Sequence, residues 1–122
     1  MGYYSNVTVG MKTTLFKKMW EEILNIESPA IHQEVMRLLS VDVEIQNVKT
    51  WDREEAVILQ FSERKWYAEF IDVGWFMKFL RSNDEENWCF LCIGENIGDV
   101  EIEGEICTFP VRIGAVITDV IG

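Results

Sequence analysis

Apolar and polar positions alternate from Tyr3 to Met11, with Tyr3, Val7, Val9 and Met11 on one face and Tyr4, Asn6 and Thr8 on the other. A period of two predicts a half-buried strand. The period then lengthens. Leu15, Phe16, Met19, Trp20, Ile23 and Leu24 recur at helical spacing, Lys17, Lys18, Glu21 and Glu22 fall elsewhere on the surface, and Thr13 or Thr14 stands where a cap is wanted. Ser28 followed by Pro29 predicts a cap and first-turn proline for a second helix, with Ile31, Val35, Leu38 and Leu39 as its stripe and an end near Ser40.

Val41, Val43 and Ile45 alternate with Asp42, Glu44 and Gln46; after a polar turn around Asp52, the run Val57, Leu59 and Phe61 supplies a partner strand for a hairpin. Asp72 is placed to cap a short helix with Trp75, Phe76, Phe79 and Leu80 inward, and Asn83 to Asn87 breaks it. Trp88 to Ile93 is apolar on both faces and belongs inside a sheet. Two further strands are expected over Asp99 to Cys107 and Val111 to Val120, separated by Pro110. The order β-α-α-β-β-α-β-β-β lacks a βαβ rhythm. It predicts an α+β fold: a mainly antiparallel sheet of about five to six strands with two to three helices packed on one face. No repeat or linker divides the chain, so one domain spanning 1–122 is expected.

Composition agrees with a folded core. Of 122 residues 48% are apolar, including five Trp and seven Phe, too much hydrophobic material for a disordered chain. No apolar run reaches the roughly 18 residues that span a bilayer, and no basic segment followed by a hydrophobic one opens the chain, which points to a cytoplasmic protein without membrane contact. The start Met1-Gly2-Tyr3-Tyr4-Ser5-Asn6 puts Asn6 where a myristoylation signal wants Ser or Thr. Cys89, Cys92 and Cys107 are an odd number, fitting reduced thiols better than a disulfide framework. The formal net charge of -10 repels nucleic acid and attracts basic partners.

The charge is unevenly placed. Between Arg81 and Arg112 there is no Lys or Arg, while Asp84, Glu85, Glu86, Glu95, Asp99, Glu101, Glu103 and Glu105 all fall there. Asp99, Glu101, Glu103 and Glu105 alternate strictly with other residues, so in a strand they form a ladder of carboxylates about 6.6 to 6.8 Å apart on one face. The ordinary use of such a row is a solvated outer face. A functional face would offer Glu95, Asp99, Glu101, Glu103 and Glu105 to a basic groove on a protein partner, occupying a site built for phosphates. A straight row spreads its oxygens rather than converging them on a cation, so neither a metal nor a cofactor is expected.

Other constellations carry less. Cys89-Phe90-Leu91-Cys92 has CxxC spacing, but on a strand the two thiols point to opposite faces and zinc would lack ligands, so buried structural thiols are expected. His32, the one histidine, falls in the first turn of the second helix as a surface residue. Ile93-Gly94-Glu95-Asn96-Ile97-Gly98 lacks the lysine of a phosphate loop and is surrounded by acids. Arg64, Lys65, Trp66 and Tyr67 make a basic and aromatic cluster, either core and rim packing, a contact patch for a protein partner or, with Trp75, the wall of a small-molecule pocket.

Gly2-Tyr3-Tyr4-Ser5-Asn6-Val7, Lys65-Trp66-Tyr67, Phe79-Leu80 and Phe90-x-x-Ile93-Gly94-Glu95 leading to Asp99-Val100-Glu101 resemble segments of small uncharacterised proteins of bacteriophages and prophages. Asn96 and Gly98 depart from that pattern, which is more acidic after Ile-Gly-Glu. The resemblance implies a phage accessory protein without enzymatic activity, acting in the host cytoplasm on host machinery or defence. The function expected is inhibition of a host protein with a basic surface through the acidic C-terminal third, with nucleic-acid mimicry as one form of it. A binding module that sequesters a nucleotide signal and an immunity protein against a toxin nuclease are the alternatives, with a metal-dependent enzyme behind them; a homo-oligomer is compatible with each.

Overall fold

The computed structural model describes residues 4–94 and 98–110. Strand β1 (Tyr4–Lys12) leads into helices α1 (Thr13–Leu24) and α2 (Pro29–Ser40), then the hairpin β2 (Glu44–Lys49) and β3 (Glu55–Lys65), helix α3 (Ile71–Arg81), and strands β4 (Trp88–Ile93) and β5 (Val100–Gly104). The five strands form one open sheet in the order β2-β3-β1-β4-β5, and every neighbouring pair is antiparallel. This is the expected α+β architecture, and β4, buried at all six positions, lies inside the sheet as its composition requires.

Periodicity places the core. Val7, Val9 and Met11 of β1, Val57, Leu59 and Phe61 of β3, and Trp88 and Phe90 of β4 share one face of the sheet. They pack with Leu15, Met19 and Ile23 of α1, Val35, Leu38 and Leu39 of α2, and Phe76 and Leu80 of α3. Ser28 caps α2 as expected, its Oγ accepting from the Ile31 N–H at 3.4 Å with Pro29 in the first turn. His32 sits in the same first turn, and its Nδ1 lies 3.0 Å from the Ile23 carbonyl, tying the start of α2 to the end of α1.

Four local expectations need correction. Thr13 is already helical and Lys12 occupies the cap position of α1 without a side-chain bond, because β1 runs straight into the helix. Leu24 lies at the C-terminal end of α1 and is 73% exposed rather than in the stripe. Val41 follows α2 as its C-terminal cap instead of opening a strand. Asp72 lies inside the first turn of α3, where Phe70 takes the cap position.

The other side of the sheet is apolar too. Ala56, Ile58, Cys89 and Phe109 form a second cluster with Val48 and Ile106 packed against it. Phe109 reaches the middle of the sheet because Gly10 leaves room: a Cβ there would stand 2.8 Å from both the Phe109 ring and the Cys89 Sγ. The chain arrives through a 3-10 turn, Ile106–Thr108, and the Trp51 N–H of the hairpin tip donates to the Thr108 carbonyl at 3.0 Å. The strand expected over Val111 to Val120 lies outside the described residues.

Candidate acidic interaction face

The acidic strand is shorter than the alternation predicts. β5 ends at Gly104, whose φ of +76° and close approach to the Trp88 carbonyl suit only a residue without a Cβ. Glu105 therefore leaves the strand, its N–H still bonded to Trp88, and the chain turns into Ile106–Thr108. Asp99 precedes the strand, exposed, with its carbonyl accepting from the Gly94 N–H. Of the four-rung ladder only Glu101 and Glu103 stand in regular β geometry, and Glu95 lies outside the described residues.

Those two rungs do not point away from the helices. Glu101 lies opposite Cys92 and Glu103 opposite Phe90, on the face that carries the core. β5 is the last strand of the sheet, so its carboxylates project beside α3 rather than beneath it. Glu103 meets Arg81 there: Nε donates to Oε1 at 3.0 Å and an Nη to Oε2 at 2.7 Å. This two-pronged bond holds the Glu103 carboxyl below the usual carboxylate range and the Arg81 guanidinium above its own. Arg81 is the last basic residue before the acidic window, and sequence reasoning did not pair it.

Glu101 and Glu105 remain exposed and without an ion-pair partner among the described residues. Asp84, Glu85 and Glu86, also exposed, open and fill a 3-10 turn (Glu85–Asn87) that packs against β5. Folding thus gathers carboxylates from two separated stretches on one edge, with Arg81 as their counterion. On the opposite face of β5, Ile102 is 45% exposed.

The basic and aromatic cluster is dispersed. A register shift between Ser5 and Val7, with Glu63 at φ +46°, restores Arg64 to the helix side of the sheet. There the Arg64 guanidinium bridges Asp42, at 3.0 Å, and the buried Asp72, which also accepts from the Val73 N–H. Its charge is spent on two carboxylates. Trp66 packs in an aromatic group with Phe61, Phe76 and Phe90 at centroid distances of 5.1, 6.1 and 6.2 Å. Lys65 lies 5.8 Å from the Tyr4 ring centroid, Tyr67 meets Phe70 edge-on, and Trp75 stacks on Phe79. Arg64 and Lys65 together line a groove of about 470 Å³ with Asp42 and Glu44, and Arg64 also lines one of about 570 Å³ between α2 and the start of α3; neither is lined by Trp66, Tyr67 or Trp75.

Cys89 and Cys92 are buried on opposite faces of β4, and Cys107 is exposed. Burial pushes the Cys89 thiol up to about 12 and raises that of Cys92. Among the described residues no three His, Cys, Asp or Glu side chains are grouped to hold a metal ion, and no helix is long and apolar enough to cross a membrane. Comparison with protein-family models, with curated proteins and with solved structures gives no match.

Proposed function

We propose that this protein is a non-enzymatic binding protein that engages a basic surface of another protein through the carboxylates along the β5 edge. One observation carries the proposal: exposed Glu105 and the Asp84 to Glu86 turn meet at one end of β5, exposed Glu101 stands along the strand and Asp99 at its other end, and Arg81 is already held by Glu103. A cluster of carboxylates in excess over its one counterion speeds encounter with an oppositely charged site and selects against acidic partners. The phage resemblance supports a host protein as that partner and inhibition as the consequence, and a nucleic-acid-binding groove is the basic site such a cluster would occupy.

Arg81 also indicates which acids to change. Reversing Glu103 would break an internal pair, so the informative variant is Asp99→Lys, Glu101→Lys, Glu105→Lys. Affinity capture from bacterial lysate with wild-type bait should retain a specific basic protein that this triple variant loses. Equal capture by both baits refutes the proposal.

A further inference from the structure

The hydrogen-bond phase of the β4–β5 ladder determines which backbone groups β5 turns outward. The Glu105 N–H donates to the Trp88 carbonyl at 2.9 Å and the Gly94 N–H to the Asp99 carbonyl at 2.8 Å, one at each end of the ladder. Bonded and non-bonded pairs alternate in an antiparallel ladder. Glu103 and Glu101 therefore bond inward to Phe90 and Cys92, and Val100 and Ile102 turn their N–H and C=O groups away from β4. The Val100 N–H is taken by the Gly98 carbonyl at 3.1 Å. The Ile102 N–H and C=O and the Val100 C=O pair with no described strand.

The side chains beside these groups define what fits. An incoming strand would meet Glu101 on one face and the 45% exposed Ile102 on the other. A second copy offers no complementary charge: two β5 strands paired antiparallel about Ile102 set Glu101 of each copy against Glu103 of the other, a carboxylate whose Arg81 is already engaged. The other sheet edge, β2, carries Lys49 as well as Glu44 and makes no comparable demand.

We infer that the β5 edge docks an extended segment of the partner as an additional strand, with Lys or Arg opposite Glu101 and an apolar residue opposite Ile102. This assignment rests on the basic-partner proposal and adds that backbone pairing, rather than charge alone, holds the partner.

The test uses the full chain, isotopically labelled on nitrogen, and three synthetic probes: acetyl-Lys-Val-Lys-Val-Lys-amide, its scrambled isomer acetyl-Lys-Lys-Val-Val-Lys-amide, and the alternating peptide N-methylated at both valines. The alternating peptide should shift the amide signals of Val100 to Gly104 and bind roughly tenfold more tightly than the N-methylated peptide, as loss of about two hydrogen bonds implies, and more tightly than the scrambled isomer, which keeps its N–H groups but sets Lys and Val on the wrong faces. Ile102→Pro removes one outward N–H at an edge position that tolerates proline, and should weaken the alternating peptide by roughly threefold or more, as loss of about one hydrogen bond implies. If that variant fails to fold, the N-methylated probe carries the comparison. Equal binding of all three peptides, abolished by Glu101→Lys, overturns strand addition while leaving the basic-partner proposal intact. No binding of the alternating peptide at millimolar concentration also overturns it, and partner capture judges the broader proposal separately.

Discussion

Arg81, in the last turn of α3, grips Glu103 of the edge strand β5 through two hydrogen bonds of 3.0 and 2.7 Å. The pair fastens a strand that has only one described neighbour to the helical layer. It also divides the acidic window into one carboxylate committed to the fold and several left to face outward.

That division sets a pH dependence. The folded-state pKa of Glu103 is depressed, first by its bond to Arg81, so the stability it contributes is complete above the unfolded carboxylate value and is lost as pH falls through the folded one. Because both groups are partly exposed, the pair is worth roughly 0.5–1 kcal/mol at neutral pH. Thermal melts of Glu103→Gln should therefore lie a few degrees below wild type at neutral pH, with the gap closing as pH drops below the carboxylate range.

Arg64 makes a larger difference. Asp72 is buried and Arg64 neutralises it, so Arg64→Ala leaves a buried carboxylate without its partner and should cost roughly 2–4 kcal/mol in urea denaturation. Arg64→Lys should recover only part of this, since one ammonium cannot fork between Asp42 and Asp72.

Gly104 terminates β5 by geometry. An added Cβ would stand 2.3 Å from the Trp88 carbonyl oxygen at a left-handed φ, so Gly104→Ala should destabilise the fold by about 2 kcal/mol or more. Hydrogen exchange should show the amides of Glu101 and Glu103 opening faster in this variant, because their bonds to β4 adjoin the disturbed end.

The thiols differ in access. Cys107 should react with a disulfide reagent within the mixing time near pH 8, while Cys89 and Cys92 wait for unfolding, being buried and with pKa values raised by desolvation. One fast equivalent in native buffer and three in denaturant is the expected titration.

Features that rest on local chemistry were legible in the chain. Ser28-Pro29 announces α2 because a cap and a first-turn proline act within one turn, and the apolar run Trp88 to Ile93 announces an interior strand. The extent of the carboxylate ladder was not legible, because Gly104 ends the strand by approaching a carbonyl on another strand. Nor was the fate of Glu103, whose partner lies 22 residues earlier. The register shift near Glu63 turned Arg64 toward Asp42 and Asp72 and Trp66 into the core, where simple alternation left both a pocket and a packing role open.

The free carboxylates on the β5 edge are proposed to hold a basic partner. The most direct measurement is the dissociation constant of the captured partner, in purified form, against wild type and the Asp99→Lys, Glu101→Lys, Glu105→Lys variant, at low and high salt. Exposed charges are screened over about 8 Å at physiological ionic strength. Wild-type binding that weakens steeply with salt, and loss of at least about a hundredfold in a variant with an unchanged melt, is the predicted result; equal affinity for both chains at every salt concentration would contradict it.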